Sequence, residues 1–240
     1  MIVLLFMMSF AFAQDITGIN VDVPIGEPEG VVVAFHGRNG SNEAWINHLD
    51  LSLYQDAFLE NNYIVLSVDG QATPEPSWSC PDCVSNVLSP MINSLMRYLP
   101  PNKQRIIYLG YSAGGRPATV RAMNDPLASA LILINSRGEI ITKHVHGSNG
   151  VIVLMGTREQ DMTVPWKKVR CRAYIMDQVM GLNPMLFALP GDHSPTPAFL
   201  THMIPELGLS IPNWLPADAL LTNNLRTWRN PFYNPKNDCR

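Results

Sequence analysis

Arg105-Ile-Ile-Tyr-Leu-Gly110-Tyr-Ser112-Ala-Gly114-Gly-Arg-Pro-Ala-Thr-Val-Arg-Ala-Met123 decides how the rest of the chain is read. It opens as a short apolar β-type run and closes on residues suited to a helix, with a G-x-S-x-G pattern between them. The glycines at 110 and 114 remove side chains where a tight turn brings strand and helix together, so Ser112 is pushed out at the carboxyl edge of a sheet. A helix starting at Ala113 aims its free N–H groups and positive dipole end at the same place. The strand-turn-helix setting gives the pentapeptide its weight, since a bare Gly/Ser turn would carry no chemistry.

Outward from this point, apolar β-rich runs alternate with longer segments of helical period, the mark of a mostly parallel sheet covered on both faces. Strands are expected at 16–23, 31–35, 63–68, 105–109, 130–134, 151–155 and 185–189, and helices at about 43–60, 84–99, 113–123, 166–180 and 196–204. In the second helix Val84, Val87, Leu88, Met91, Ile92, Leu95 and Leu99 make one apolar stripe, which is core material. Pro100-Pro101 stops it, because proline cannot donate a helical hydrogen bond and restricts the residue before it. The 134–151 crossover is too short for a large inserted cap.

Serine is a weak nucleophile until a base lies within hydrogen-bond reach. Of six histidines, His193 is the candidate base, because Leu186-Phe-Ala-Leu-Pro-Gly-Asp-His193 puts it in the loop beyond the last β-like run. The orienting carboxylate should follow the preceding strand, where Gly156-Thr-Arg-Glu-Gln-Asp161-Met-Thr-Val-Pro165 offers Glu159 and Asp161. Asp161 is preferred for its D-x-x-V-P continuation, and Asp192 is discounted because adjacent side chains rarely face each other. The order serine, acid, histidine suits a strand-turn-helix nucleophile. His36-Gly37-Arg38-Asn39-Gly40 follows an earlier strand, so the backbone N–H groups of Arg38 and Ala113 are the expected oxyanion donors. Asn39-Gly-Ser41 is also a glycosylation triplet, read as incidental. Trp78, Tyr111 and Trp166 are candidates to line a substrate pocket, with core or rim packing as the equal alternative. His144-Val-His146 lacks a third ligand, so no metal is expected. His48 and His202 read as ordinary surface residues of helices.

Composition bounds these readings. At 240 residues the chain suits one α/β domain, expected over 14–240 with a Pro/Asn-rich tail from about 205. A hydrophobic share of 46% against 15% charged supplies a buried sheet, and a net charge of -3 gives no electrostatic case for nucleic acid or anionic membrane. Met1–Ala13 is one apolar run ending in the small-x-small Ala11-Phe-Ala13, expected to be a signal peptide cleaved before Gln14 although only the α-amino group supplies positive charge. The protein is then secreted or periplasmic. That run is too short to cross a bilayer, so no stable membrane insertion is expected. Four cysteines suit an oxidising compartment and allow three pairings. The favoured one joins Cys80 to Cys83 and Cys171 to Cys239, the latter pinning the tail.

With these residues in view, the chain resembles the α/β-hydrolase superfamily, and within it the small serine esterases grouped with feruloyl esterases and polyhydroxybutyrate-depolymerase-like proteins. The marks are Phe35-His-Gly37 with Gly40-Ser41, Val68-Asp-Gly70 followed by Trp78, Gly110-Tyr-Ser-Ala-Gly-Gly115, Gly156 with Asp161-x-x-Val-Pro165, and Gly-Asp-His193. Carboxylesterases and thioesterases share these landmarks. The resemblance implies hydrolysis of a small-molecule or polymer-derived ester through an acyl-enzyme on Ser112, without a cofactor. Lipase, thioesterase and acyltransferase activities, and a silent fold used for binding, are the competing expectations. The absence of a long apolar lid segment after Ile134 weakens the lipase reading.

Overall fold

The computed structural model describes residues 18–38, 40–41, 43–69, 83–141, 150–215 and 239. Among the described residues seven strands order as β1-β3-β2-β4-β5-β6-β7 in one sheet: β1 Ile19–Asp22, β2 Gly30–Phe35, β3 Tyr63–Val68, β4 Ile106–Tyr111, β5 Ala128–Ile134, β6 Ile152–Arg158 and β7 Met185–Leu189. β1 runs antiparallel to β3, and every other pairing is parallel. All six residues of β2 and of β3 are buried, as continuous Val/Leu/Ile runs require when helices cover both faces.

Alternation along the strands sends side chains to two separate cores. On one face Val31, Val33, Leu131, Leu133 and Met155 pack beneath helices α3 (Cys83–Tyr98), α4 (Gly115–Asn124) and α5 (Trp166–Met180). On the other, Val32, Ala34, Leu109, Ile132 and Phe187 meet α2 (Leu49–Glu60) and α6 (Leu200–Glu206). The expected stripe of α3 is buried at Leu88, Met91, Ile92, Leu95 and Leu99. No described helix is long and apolar enough to cross a membrane.

Several expected boundaries move for local reasons. The helix expected at 43–60 is two helices, α1 (Ala44–Asn47) and α2, because His48 is extended at φ -84°, ψ 114°. Asn47 and His48 are both poor helix formers, so the break falls where propensity is low. The helix expected from Ala113 begins as a 3-10 turn, Ser112–Gly114, and becomes α-helical only at Gly115. The helix expected from 196 likewise starts as a 3-10 turn at Pro197–Phe199. β4 runs on to Tyr111 and β6 to Arg158, beyond their apolar cores. The first strand begins at Ile19; residues 16 and 17 lie outside the described residues, as do the 1–13 segment and nearly all of the tail.

His202 departs from its expectation as a surface residue. It is partly buried on α6, its ring stacked on Phe187 with centroids 5.9 Å apart, and burial lowers its pKa from the ordinary imidazole value. The alternation that turns Phe187 toward α6 brings an apolar ring to meet it. His48 is exposed. Cys171 on α5 is joined to Cys239, as the favoured pairing has it, whereas Cys80 lies outside the described residues.

Candidate active site

The chain order reverses between β2 and β4, which are neighbours although β3 lies between them in sequence. A crevice opens at such a switch point beyond the carboxyl ends of the strands. Residues 36–38 follow β2 and Ser112 follows β4 there, with Phe35 registered against Gly110. Gly110 is registered against Leu133, and Ile134 against Gly156, so the ends of β5 and β6 reach the same level.

Ser112 has φ of 51°, in the left-handed region that a non-glycine residue occupies only under constraint. The constraint is steric. A Cβ on Gly110 would sit 2.5 Å from the Gly115 Cα, and one on Gly114 would strike the Phe35 and His36 carbonyl oxygens. Only bare backbone lets the turn pass so close to β2, and the serine is left as the projecting side chain.

Around it the structure gathers residues 81 and 32 positions apart. His193 Nε2 lies 2.8 Å from Ser112 Oγ, and His193 Nδ1 lies 2.6 Å from Asp161 Oδ2. Asp161 is 2% exposed, and a carboxylate so far from water must have its charge satisfied locally. The Thr163 and Val164 amides donate to its Oδ1 at 2.8 and 2.7 Å, leaving Oδ2 for the histidine. Glu159, the competing carboxylate, uses its backbone N–H on the Leu189 carbonyl, and Asp192 accepts from the Ser194 amide at the surface. The two loops are tied both ways: the Gln160 amide donates to the Gly191 carbonyl, and the Gly191 amide to the Gln160 side chain.

Two further residues hold the histidine from behind. Tyr111 Oη donates to the His193 carbonyl at 2.9 Å, and Asn135 Nδ2 donates to the same carbonyl and to that of Ser194, each at 2.9 Å. Burial first, then the charges of Asp161, Asp192 and Asp50, push the Tyr111 phenol up to about 12, so it stays a donor. Asn135 is fully buried with φ of 46°, a conformation that asparagine tolerates better than most residues. Sequence reasoning passed over it. The available signal was a polar residue at the carboxyl end of the wholly apolar run Ala130–Ile134.

Tyr111, Ser112, His193, Arg38 and Ala113 line one cavity of about 910 Å³. His36, fully buried, donates from Nδ1 to the Gly37 carbonyl at 2.5 Å and braces the loop that carries Arg38. Burial pulls its pKa below the ordinary imidazole value, ahead of the opposing Gly37 and Asp69 contributions, and so favours the neutral ring. Trp166 does not belong to the described lining. Placed first on α5 after Pro165, it packs against the core with Arg170 5.1 Å from its ring centroid. Trp78, His144 and His146 lie outside the described residues.

No protein-family model and no curated protein matches the sequence. Solved structures do. The esterase Pf2001 of Pyrococcus furiosus superposes with a TM-score of 0.56 at 15% identity, over 75% of this chain and 80% of its own. Est2 of Thermogutta terrifontis, a thermophilic esterase, gives 0.58 at 17%, over 82% and 89%. Est1E of Butyrivibrio proteoclasticus, solved with ferulic acid bound, gives 0.50 at 18%, over 73% and 86%. The sheet order, the serine turn and these superpositions together define an α/β-hydrolase fold. Among the small esterases of that fold are the structures to which this chain is similar.

Proposed function

We propose that this chain is a secreted serine hydrolase that cleaves carboxylic esters through an acyl-enzyme on Ser112. The supporting observation is the continuous path from Ser112 Oγ through both ring nitrogens of His193 to a carboxylate that the Thr163 and Val164 amides hold in place. The esterase names of the structural neighbours point the same way. Export rests on the apolar Met1–Ala13 segment and on the cysteines.

In this mechanism His193 Nε2 takes the Ser112 proton as Oγ forms a bond to the ester carbonyl carbon. The carbonyl oxygen becomes an oxyanion held by the backbone N–H groups of Arg38 and Ala113. The C–O bond to the alcohol then breaks, and His193 returns the proton to the departing oxygen. Water, deprotonated by the same nitrogen, attacks the acyl carbon; the bond from that carbon to Ser112 Oγ breaks, His193 returns the proton to Oγ, and the acid leaves. Asp161 fixes the imidazole tautomer and stabilises the imidazolium without taking its proton.

A panel of p-nitrophenyl esters of rising acyl length, with methyl ferulate beside it, tests the reading. Wild-type protein should turn over at least one ester and react with a fluorophosphonate at Ser112, while Ser112→Ala loses at least about three orders of magnitude in kcat with its melting curve intact. A folded wild type that neither labels nor hydrolyses any ester would refute it.

A further inference from the structure

The cavity beside Ser112 is charged against the sign of the molecule. The chain carries a net charge of -3, yet Arg38, Arg116, Arg137 and Arg172 all line this one space, with Glu139 as the single acidic residue of its described lining. The four arginines come from the β2 loop, α4, the β5 loop and α5, so no single basic segment accounts for their meeting. Glu139 is committed to Arg116, at 2.9 Å from its Nε.

Arg137 and Arg172 are left without an ion pair or hydrogen bond among the described residues. Arg172 is half-buried and its Nη1 is shut off from solvent with no acceptor. A buried donor left unpaired is costly, and a native fold normally supplies its acceptor from the protein, from water or from a ligand. Burial pulls the Arg172 guanidinium down from its ordinary range; Glu139 opposes this and the like charge of Arg137 adds to it. Two guanidiniums that line the space holding the candidate nucleophile, one of them with a buried N–H lacking a partner among the described residues, offer a receptor for an oxyanion. Arg172 sits half-buried at the wall of the cavity and Arg137 is exposed at its edge, so their charges face the same space.

We infer that Arg137 and Arg172 bind an anionic oxyacid group, carboxylate or phosphate, carried by the ester at a distance from its scissile bond. This rests on the hydrolase reading and narrows it to substrates such as half-esters of dicarboxylic acids. Neutral alkyl esters are then poor substrates that lack the second anchor.

The test compares monomethyl glutarate with dimethyl glutarate, and methyl 4-phosphonooxybutanoate with methyl butanoate, by acid release in a pH-stat. The inference expects kcat/KM at least about tenfold higher for the anionic member of one pair, with the pairs telling carboxylate from phosphate. That preference should shrink as salt rises and fall about tenfold in Arg137→Gln, an exposed position where folding is not at risk. Arg172→Lys keeps the charge but loses the planar fork, and should retain part of the preference. Equal rates for anionic and neutral esters, or a preference untouched in both variants, overturns the inference and leaves the hydrolase intact. Should wild type hydrolyse nothing, titration calorimetry with glutarate and with inorganic phosphate still decides it. Binding of either probe must weaken about tenfold in Arg137→Gln, and binding of neither, or binding indifferent to the substitution, sinks it.

Discussion

At the scale of single residues, the proposed catalytic geometry depends on how firmly His193 is held. Its ring faces Ser112 and Asp161, while its carbonyl accepts from Tyr111 and Asn135. Removing one neutral hydrogen bond of this kind costs about 0.5–1.5 kcal/mol, which is up to about tenfold in rate if it falls wholly on the transition state. Tyr111→Phe, which deletes only the hydroxyl, should therefore lower kcat by about three- to tenfold with little change in stability. Asn135→Gly keeps access to the left-handed backbone but removes two donors, and should lower kcat further while KM changes less. Steady-state kinetics on one p-nitrophenyl ester separates these outcomes. Asp161→Asn should cost about 10⁴-fold, since it leaves the ring free to take the wrong tautomer.

At the scale of elements, the serine turn works because Gly110 lets β4 meet the start of α4 and Gly114 lets the turn lie against the end of β2. Gly114→Ala places a methyl on the Phe35 and His36 carbonyl oxygens, both backbone, so the neighbours cannot give way. It should cost about 1–3 kcal/mol of stability and most of the activity together, read by urea unfolding and ester turnover on the same sample. The strands and helices of this region were legible beforehand because apolar runs and glycine positions are local facts. The meeting of Ser112, His193 and Asp161 within hydrogen-bond reach was legible too, since each falls at a fixed place relative to a strand end. What escaped was whatever depends on neighbours distant in sequence. The partner of His202 is of this kind, as is the role of Asn135, whose only local sign was polarity after an apolar run. For Trp166 the sequence left pocket lining and core packing as equal alternatives, and it packs against the core.

At the scale of the whole molecule, a buried and a partly buried histidine link stability to pH. Burial lowers the folded-state pKa of His36 and His202 below the unfolded value of about 6.5, so the unfolded chain binds protons that the fold refuses. Their contribution to stability is complete above about 6.5 and is lost as pH falls below it. Asp22 and Asp56, whose carboxyls burial raises, act in the opposite sense. Melting temperatures at pH 7.5 and 5.5 should therefore drop on acidification, and His202→Gln should narrow the drop; an unchanged difference counts against this account.

The order of the strands carries one more consequence, which concerns time. Ser112 leaves the ribosome 81 residues ahead of its base, and the carboxylate comes between them. The central strands can assemble around the nucleophile while its partner is still unmade, and N-terminal parts of a chain commonly do fold first. Such a half-built sheet would hold a serine already turned outward and chemically silent. Hydrolysis would begin only when β7 docks at the margin and swings its loop over the crevice. During refolding, recovery of turnover should then lag recovery of far-ultraviolet circular dichroism, and enzyme activity becomes a clock for the last strand to arrive.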